Sequence, residues 1–144
     1  DEETLMNLFE LRIMLEVGMT DFLFAHKTAE DVQALEEIVA QESGQADKGI
    51  FEIEEELRFH GKLYEISNNQ TLKRFQEILL PVFQFVNQST LFQPLEVGEQ
   101  LVTHKDLVQI IKFGTPEMFQ NAMKKHLRPH FDRLQSRRQQ PSEK

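Results

Sequence analysis

Apolar residues recur three and four positions apart along almost the whole chain, the period of an amphipathic helix. Between Thr4 and Phe24 the stripe comprises Leu5, Leu8, Phe9, Leu11, Met14, Leu15, Met19, Phe22 and Leu23, which predicts one opening helix. Thr28-Ala29-Glu30-Asp31 has the form of a capping box with Asp in the acidic position, so a second helix starts there, burying Val32, Leu35, Ile38 and Val39. Gly44 to Gly49 reads as a polar loop. A third helix is expected from about Phe51 to Ile66, closed by Ser67-Asn68-Asn69. A fourth runs from about Thr71 to Val86, with Pro81 placed to kink it, and residues 87–95 form a connector containing Pro94. A fifth spans about Glu96 to Phe113 and stops at Gly114. Thr115-Pro116-Glu117 supplies an N-cap and a first-turn proline for a sixth, which reaches about Gln135 past a second kink at Pro129.

No stretch alternates with the period of two that a half-buried strand requires. The pattern therefore gives an all-α fold, an antiparallel bundle of six or seven helices, filling one domain over residues 1–135. The Ser/Gln/Pro/Lys segment 136–144 reads as a disordered tail. A chain of 144 residues buries a core without staples, and with no cysteine it has neither disulfides nor thiolate metal ligands. That usage fits a reducing compartment. No apolar run approaches a membrane span, and a start at Asp1 rather than Met fits a piece of a longer protein.

Charge narrows the function further. The net charge is −8, split into 5 basic and 17 acidic residues over 1–72 and 11 basic and 7 acidic over 73–144. Nucleic-acid affinity rests on Lys and Arg neutralising phosphates. The densest basic cluster, Arg133, Arg137 and Arg138, reads as a solvated helix end, so this chain by itself is not expected to bind DNA.

The histidines carry the candidate chemistry. Glu56 and His60 stand four apart and so share a helix face. His104 lies among Leu101, Leu107, Val108 and Ile111, and His126 beside Ala122, Met123 and Leu127. Each borders an apolar face, where an unpaired carboxylate or imidazolium is costly. A cation held by Glu56, His60, His104 and His126 removes that cost; one carboxylate and three imidazoles suit zinc, nickel, iron or manganese rather than calcium. The competing reading makes them partly exposed histidines and places Glu56 in the solvated run Glu54-Glu55-Glu56. His126 and His130 form a rival i,i+4 pair, which Pro129 and Arg128 place at a solvated end. His26 fits a helix C-terminus, where a cation complements the dipole.

Glu56-Leu-Arg-Phe-His60, followed by Leu63 and Ser67-Asn68-Asn69, resembles the Asp-x-x-Phe-His…Ser-Gly-Asn segment of FadR-type C-terminal (FCD) domains, the effector-binding halves of GntR-family bacterial transcription regulators. His104, Ile110-Ile111, Gly114 and Ala122-Met123-Lys124-Lys125-His126-Leu127 are similar to a later segment of that family. Glu10-Leu-Arg12-Ile-Met-Leu15-Glu16 and Thr28-Ala-Glu-Asp31 with Leu35 resemble its first-helix and second-helix entries, so the likeness covers about residues 5–134. Three positions depart from the pattern: Glu56 stands where Asp is usual, Thr115 where Asp follows the glycine, and Asn68 where Gly is usual.

The resemblance implies a helical bundle around a central ligand and metal cavity, with a divalent ion, zinc or nickel first and manganese or iron next, on Glu56, His60, His104 and His126. It implies a small carboxylate metabolite as effector, a homodimer in the cytoplasm, and DNA contact only through a separate N-terminal winged helix-turn-helix domain. Arg12 matches the family's first-helix arginine and is the candidate fork for an effector carboxylate, against a plain ion pair with Glu16. Tyr64, one turn beyond His60, is a candidate donor to the ligand, against simple core packing. A metal-dependent enzyme is the rival function, since such a centre can activate water. The chain lacks His-Glu-x-x-His, Gly-x-Ser-x-Gly and any phosphate-binding glycine loop. A third reading, a pure interaction module, predicts no metal.

Overall fold

A computed structural model describes residues 2–44, 53–88 and 101–138. Among the described residues the chain forms seven helices and no strand: α1 Glu2–Gly18, α2 Thr20–His26, α3 Ala29–Ala40, α4 Ile53–Ile66, α5 Gln70–Gln88, α6 His104–Phe113 and α7 Pro116–Arg138. They pack as a helical bundle in which α4 meets α2, α3 and α5, while α7 meets α1, α2 and α6. Phe59 and Leu63 of α4, Leu23 of α2, Leu35 of α3, Leu107 and Ile111 of α6, and Phe119 and Met123 of α7 are fully buried. Each such side chain contributes about 1.5–3 kcal/mol on leaving water. No described helix is long and apolar enough to cross a membrane.

The opening segment is two helices rather than one. Regular helix is broken at Met19, a buried residue between α1 and α2, although its amide still donates to the Leu15 carbonyl and its carbonyl accepts from the Leu23 amide, both at 2.9 Å. Two local causes coincide there. Gly18 is a poor helix former, and the Thr20 hydroxyl donates back to the Val17 carbonyl at 2.8 Å, a contact that bends helices. The Thr28/Asp31 capping box is present at the start of α3. Burial raises the Asp31 carboxyl's pKa, but Thr28 and Lys62 outweigh it and hold the group below its ordinary value.

Helix α4 closes as the sequence implies. Asn68 takes the left-handed conformation (φ 59°), and Asn69 Oδ1 accepts from the Leu72 amide at 2.9 Å to begin α5. The helix continues through Pro81. His26 sits in the last turn of α2 with its Nδ1 2.9 Å from the Phe22 carbonyl.

The fifth predicted helix starts later than its apolar stripe implies. Residues 101–103 are not helical, and Thr103 caps α6 so that His104 is its first residue. The signal is a second capping box: Thr103 Oγ1 accepts from the Asp106 amide, and Asp106 accepts from the Thr103 amide at 2.8 Å. Gly114 ends α6 where a Cβ would lie 2.8 Å from the Ile110 carbonyl oxygen, so the close return to α7 requires glycine. Helix α7 passes Pro129 and reaches Arg138, three residues beyond the expected end. The expected 44–49 loop falls largely, and the 87–95 connector and the final tail fall mostly, outside the described residues, as do the side chains of Arg133, Arg137 and Arg138.

Because Thr103 sets the position of His104, its cap has a measurable consequence. Thr103→Ala should cost about 1 kcal/mol of stability, the usual worth of such a cap, read as a shifted midpoint in urea unfolding. A shift below the error of the measurement would show that the box does not fix this helix start.

Candidate metal centre

Four side chains from three helices converge in the interior. Glu56 and His60 come from α4, His104 from the first position of α6, and His126 from α7. All four are buried, and one donor atom from each lies within 4.8 Å of every other. Glu56 Oε1 is 2.9 Å from His104 Nε2 and 3.8 Å from His126 Nε2. His60 Nε2 is 3.2 Å from Glu56 Oε2 and 3.1 Å from His126 Nε2. Ligands held about 2.0–2.1 Å from one ion stand roughly 3–4 Å apart, so these separations suit a shared cation.

The far sides of the rings decide what the near sides offer. His126 Nδ1 is 2.7 Å from the Val102 carbonyl, and His104 Nδ1 is 2.6 Å from Glu42 Oε1. Both partners are acceptors only, so each Nδ1 carries a proton, and in the neutral form of either ring the Nε2 lone pair is the one turned inward. His60 Nδ1 lies 2.9 Å from Glu16 Oε1, in ion-pair contact without the alignment of a hydrogen bond. Metal-bound histidines are oriented by this kind of outer carboxylate or carbonyl. Glu56 Oε1 and His104 Nε2, although close, make no hydrogen bond to any group. His60 and His126 bring two ring nitrogens so near that a shared proton or a shared cation has to lie between them.

Charge gives the same answer. Arg12 from α1 reaches Glu56 Oε2 at 3.2 Å through a terminal nitrogen and Glu16 Oε1 at 3.5 Å through Nε. Glu16, Glu42 and Glu56 thus surround the cluster with three carboxylates against one guanidinium. With neutral imidazoles two negative charges remain, the amount a divalent ion balances. Burial pushes the Glu16 carboxyl up, but Arg12 and His60 outweigh it and bring it to about 2. Glu56 is likewise raised by burial and taken well below its ordinary value by His60 and His104. Burial lowers His104, yet Glu42 and Glu56 lift it to about 9, so in the metal-free protein an imidazolium supplies part of the missing positive charge. Burial brings His126 down to about 3, against Glu56 and with help from His104 and His60, which keeps its ring neutral. The donor set, its outward hydrogen bonds and its charge all fit a divalent transition ion.

The FCD domain model matches residues 7–129. The chain belongs to the FCD domain family. FCD domains are the C-terminal effector-binding domains of GntR/FadR-type regulators, and the cluster sits inside the matched span. Among curated proteins, none matches the chain.

Within this FCD domain the four candidate ligands are together, and Glu56 does not belong to a solvated run. Of its acidic neighbours, Glu54 is exposed and Glu55 accepts from the Ser43 amide at 2.6 Å. Arg12 is buried beside the cluster, so its pairing with Glu16 is not a surface contact. Tyr64 is buried one turn beyond His60, within electrostatic reach of Glu16 and Arg12; burial and Glu16 push its hydroxyl pKa up. His130 carries its side chain outside the described residues, so the rival pairing with His126 lies outside them too. Two acids the spacing argument did not select complete the site. Glu16 follows Arg12 by one turn and is hidden because such pairs are usually exposed. Glu42 lies past the end of α3, 62 residues from its partner His104, where no periodicity marks it.

Proposed function

We propose that this domain senses a small carboxylate metabolite beside a divalent ion held by Glu56, His60, His104 and His126, zinc or nickel in first place. The observation that carries the reading is the inward turn of three imidazole nitrogens onto the Glu56 carboxylate, whose Oε1, nearest His104 and His126, is buried with no hydrogen bond of its own. The bound ion supplies a Lewis-acid centre whose remaining positions accept a carboxylate.

The chain's own groups do the rest. Arg12 neutralises Glu56 and Glu16, and an effector gripped by Arg12 shares donors already turned to those acids. Tyr64 offers a hydroxyl donor from the neighbouring turn of α4. The ligands come from α4, α6 and α7, so a ligand with unequal affinity for two packings of these helices shifts the balance between them. In a cytoplasmic homodimer that shift alters the spacing of N-terminal winged helix-turn-helix domains, through which DNA is bound.

The test is a panel of mono-, di- and hydroxycarboxylates against the metal-loaded domain, read by thermal unfolding. A true effector at about 100 times its Kd adds roughly 2.7 kcal/mol and raises Tm by about 5–10 °C. The shift should vanish after chelation, and the same compound should change operator binding once the DNA-binding domain is attached. A panel without effect on either readout contradicts the proposal. Steady turnover of a compound, lost in His104→Ala, would replace it with a metal-dependent enzyme.

A further inference from the structure

The pair of Glu42 with His104 is unlike that of Glu16 with His60, because its carboxylate comes from a turn rather than from a helix facing the site. Glu42 follows Gln41, the C-cap of α3. The turn is pinned at three successive residues. Gln41 accepts from Arg58 of α4 at 3.5 Å, the Glu42 amide donates to the Val39 carbonyl at 3.1 Å, and Ser43 donates to Glu55 of α4 through its amide at 2.6 Å. Helix α4 therefore uses Glu55 and Arg58 to hold the turn and Glu56 to enter the cluster. The His104 ring is stacked on Phe59, with centroids 4.1 Å apart and 16° between planes. Packing on Phe59 fixes the ring's plane but leaves open which edge faces inward; the Glu42 contact at Nδ1 settles that.

Resting on the metal reading above, we infer that Glu42 is a positioning residue for the centre, holding His104 with Nδ1 protonated and Nε2 free to bind the ion. It does not touch the ion's position itself. Its effect runs through His104 alone, so removing it should weaken metal binding while leaving the orientation of His60 and His126 intact. Outer carboxylates of this kind are typically worth about 10–100-fold in metal affinity.

The experiment measures zinc and nickel Kd by competition with a chromophoric chelator, using the intact chain and its Glu42→Ala and Glu42→Gln variants. Nitrogen-15 spectra of the histidine rings are recorded on the zinc-loaded forms. Expected are a loss of about 10–100-fold for Glu42→Ala, a smaller loss for Glu42→Gln, which keeps an acceptor oxygen, and a changed Nδ1 resonance for His104 only. Metal-free melting temperatures monitor folding, and Glu42→Gln serves if Glu42→Ala is unfolded. Affinities within twofold of the parent in a folded variant, or a disturbance shared equally by all three rings, overturn the role of Glu42 while the centre stands. A parent chain that binds neither metal removes the centre and this inference together.

Discussion

Replacing Arg12 with methionine should destabilise the metal-free domain by about 3–5 kcal/mol, the usual cost of stripping one partner from a buried ion pair. For a domain of this size that corresponds to a Tm lower by roughly 10–20 °C. Glu16 is fully buried, and Arg12 is its main counter-charge. The methionine fills much of the volume, so the loss reports the charge rather than a cavity. Two further variants separate the causes. Arg12→Lys should recover only part, because a compact ammonium cannot fork between Glu16 and Glu56. Adding Glu16→Gln to Arg12→Met should recover more, since it removes the stranded anion. Circular dichroism melts of the four proteins check this. A loss under about 1 kcal/mol for Arg12→Met would mean that water reaches Glu16 and that the pair is not a desolvated one.

The second large effect concerns the ligands. Glu56 contributes the carboxylate that touches His60, His104 and Arg12, and His104 contributes the ring nitrogen nearest its unpaired oxygen. A double variant, Glu56→Ala with His104→Ala, leaves only His60 and His126 among the four donors. Two imidazoles without a carboxylate do not balance a divalent ion inside a protein, so binding at micromolar metal should disappear rather than weaken. Both changes also remove charge whose partners remain, namely Arg12 and Glu42. The variant should be less stable than the parent, and its helical content has to be checked before its metal content is compared.

The meeting of the four candidate ligands was partly legible in the sequence because helix periodicity is a strong constraint. Glu56 and His60 had to share a face, and the apolar neighbours of His104 and His126 turned them inward. The family likeness then tied together elements that spacing alone could only place separately. The supporting residues were less visible for different reasons. Glu16 was in plain view as the i+4 partner of Arg12, but burial depends on what packs over α1, and that is α7, a hundred residues on. Glu42 has no periodic context at all. The break at Met19 and the late start of α6 are local events that a long apolar stripe conceals. The second was nonetheless written in Thr103 and Asp106, the same capping chemistry that located α3. Arg12 stands between the two cases. Its position near the site followed from the likeness, whereas its commitment to two buried acids is a property of the packed bundle.

Elemental analysis of the untagged chain, purified without chelator and set beside the Glu56→Ala/His104→Ala double variant, addresses the centre most directly. Close to one divalent transition ion per chain is expected in the parent and none in the folded double variant. No metal in the parent after zinc, nickel and manganese have each been supplied, or equal metal in both proteins, would contradict the proposed centre.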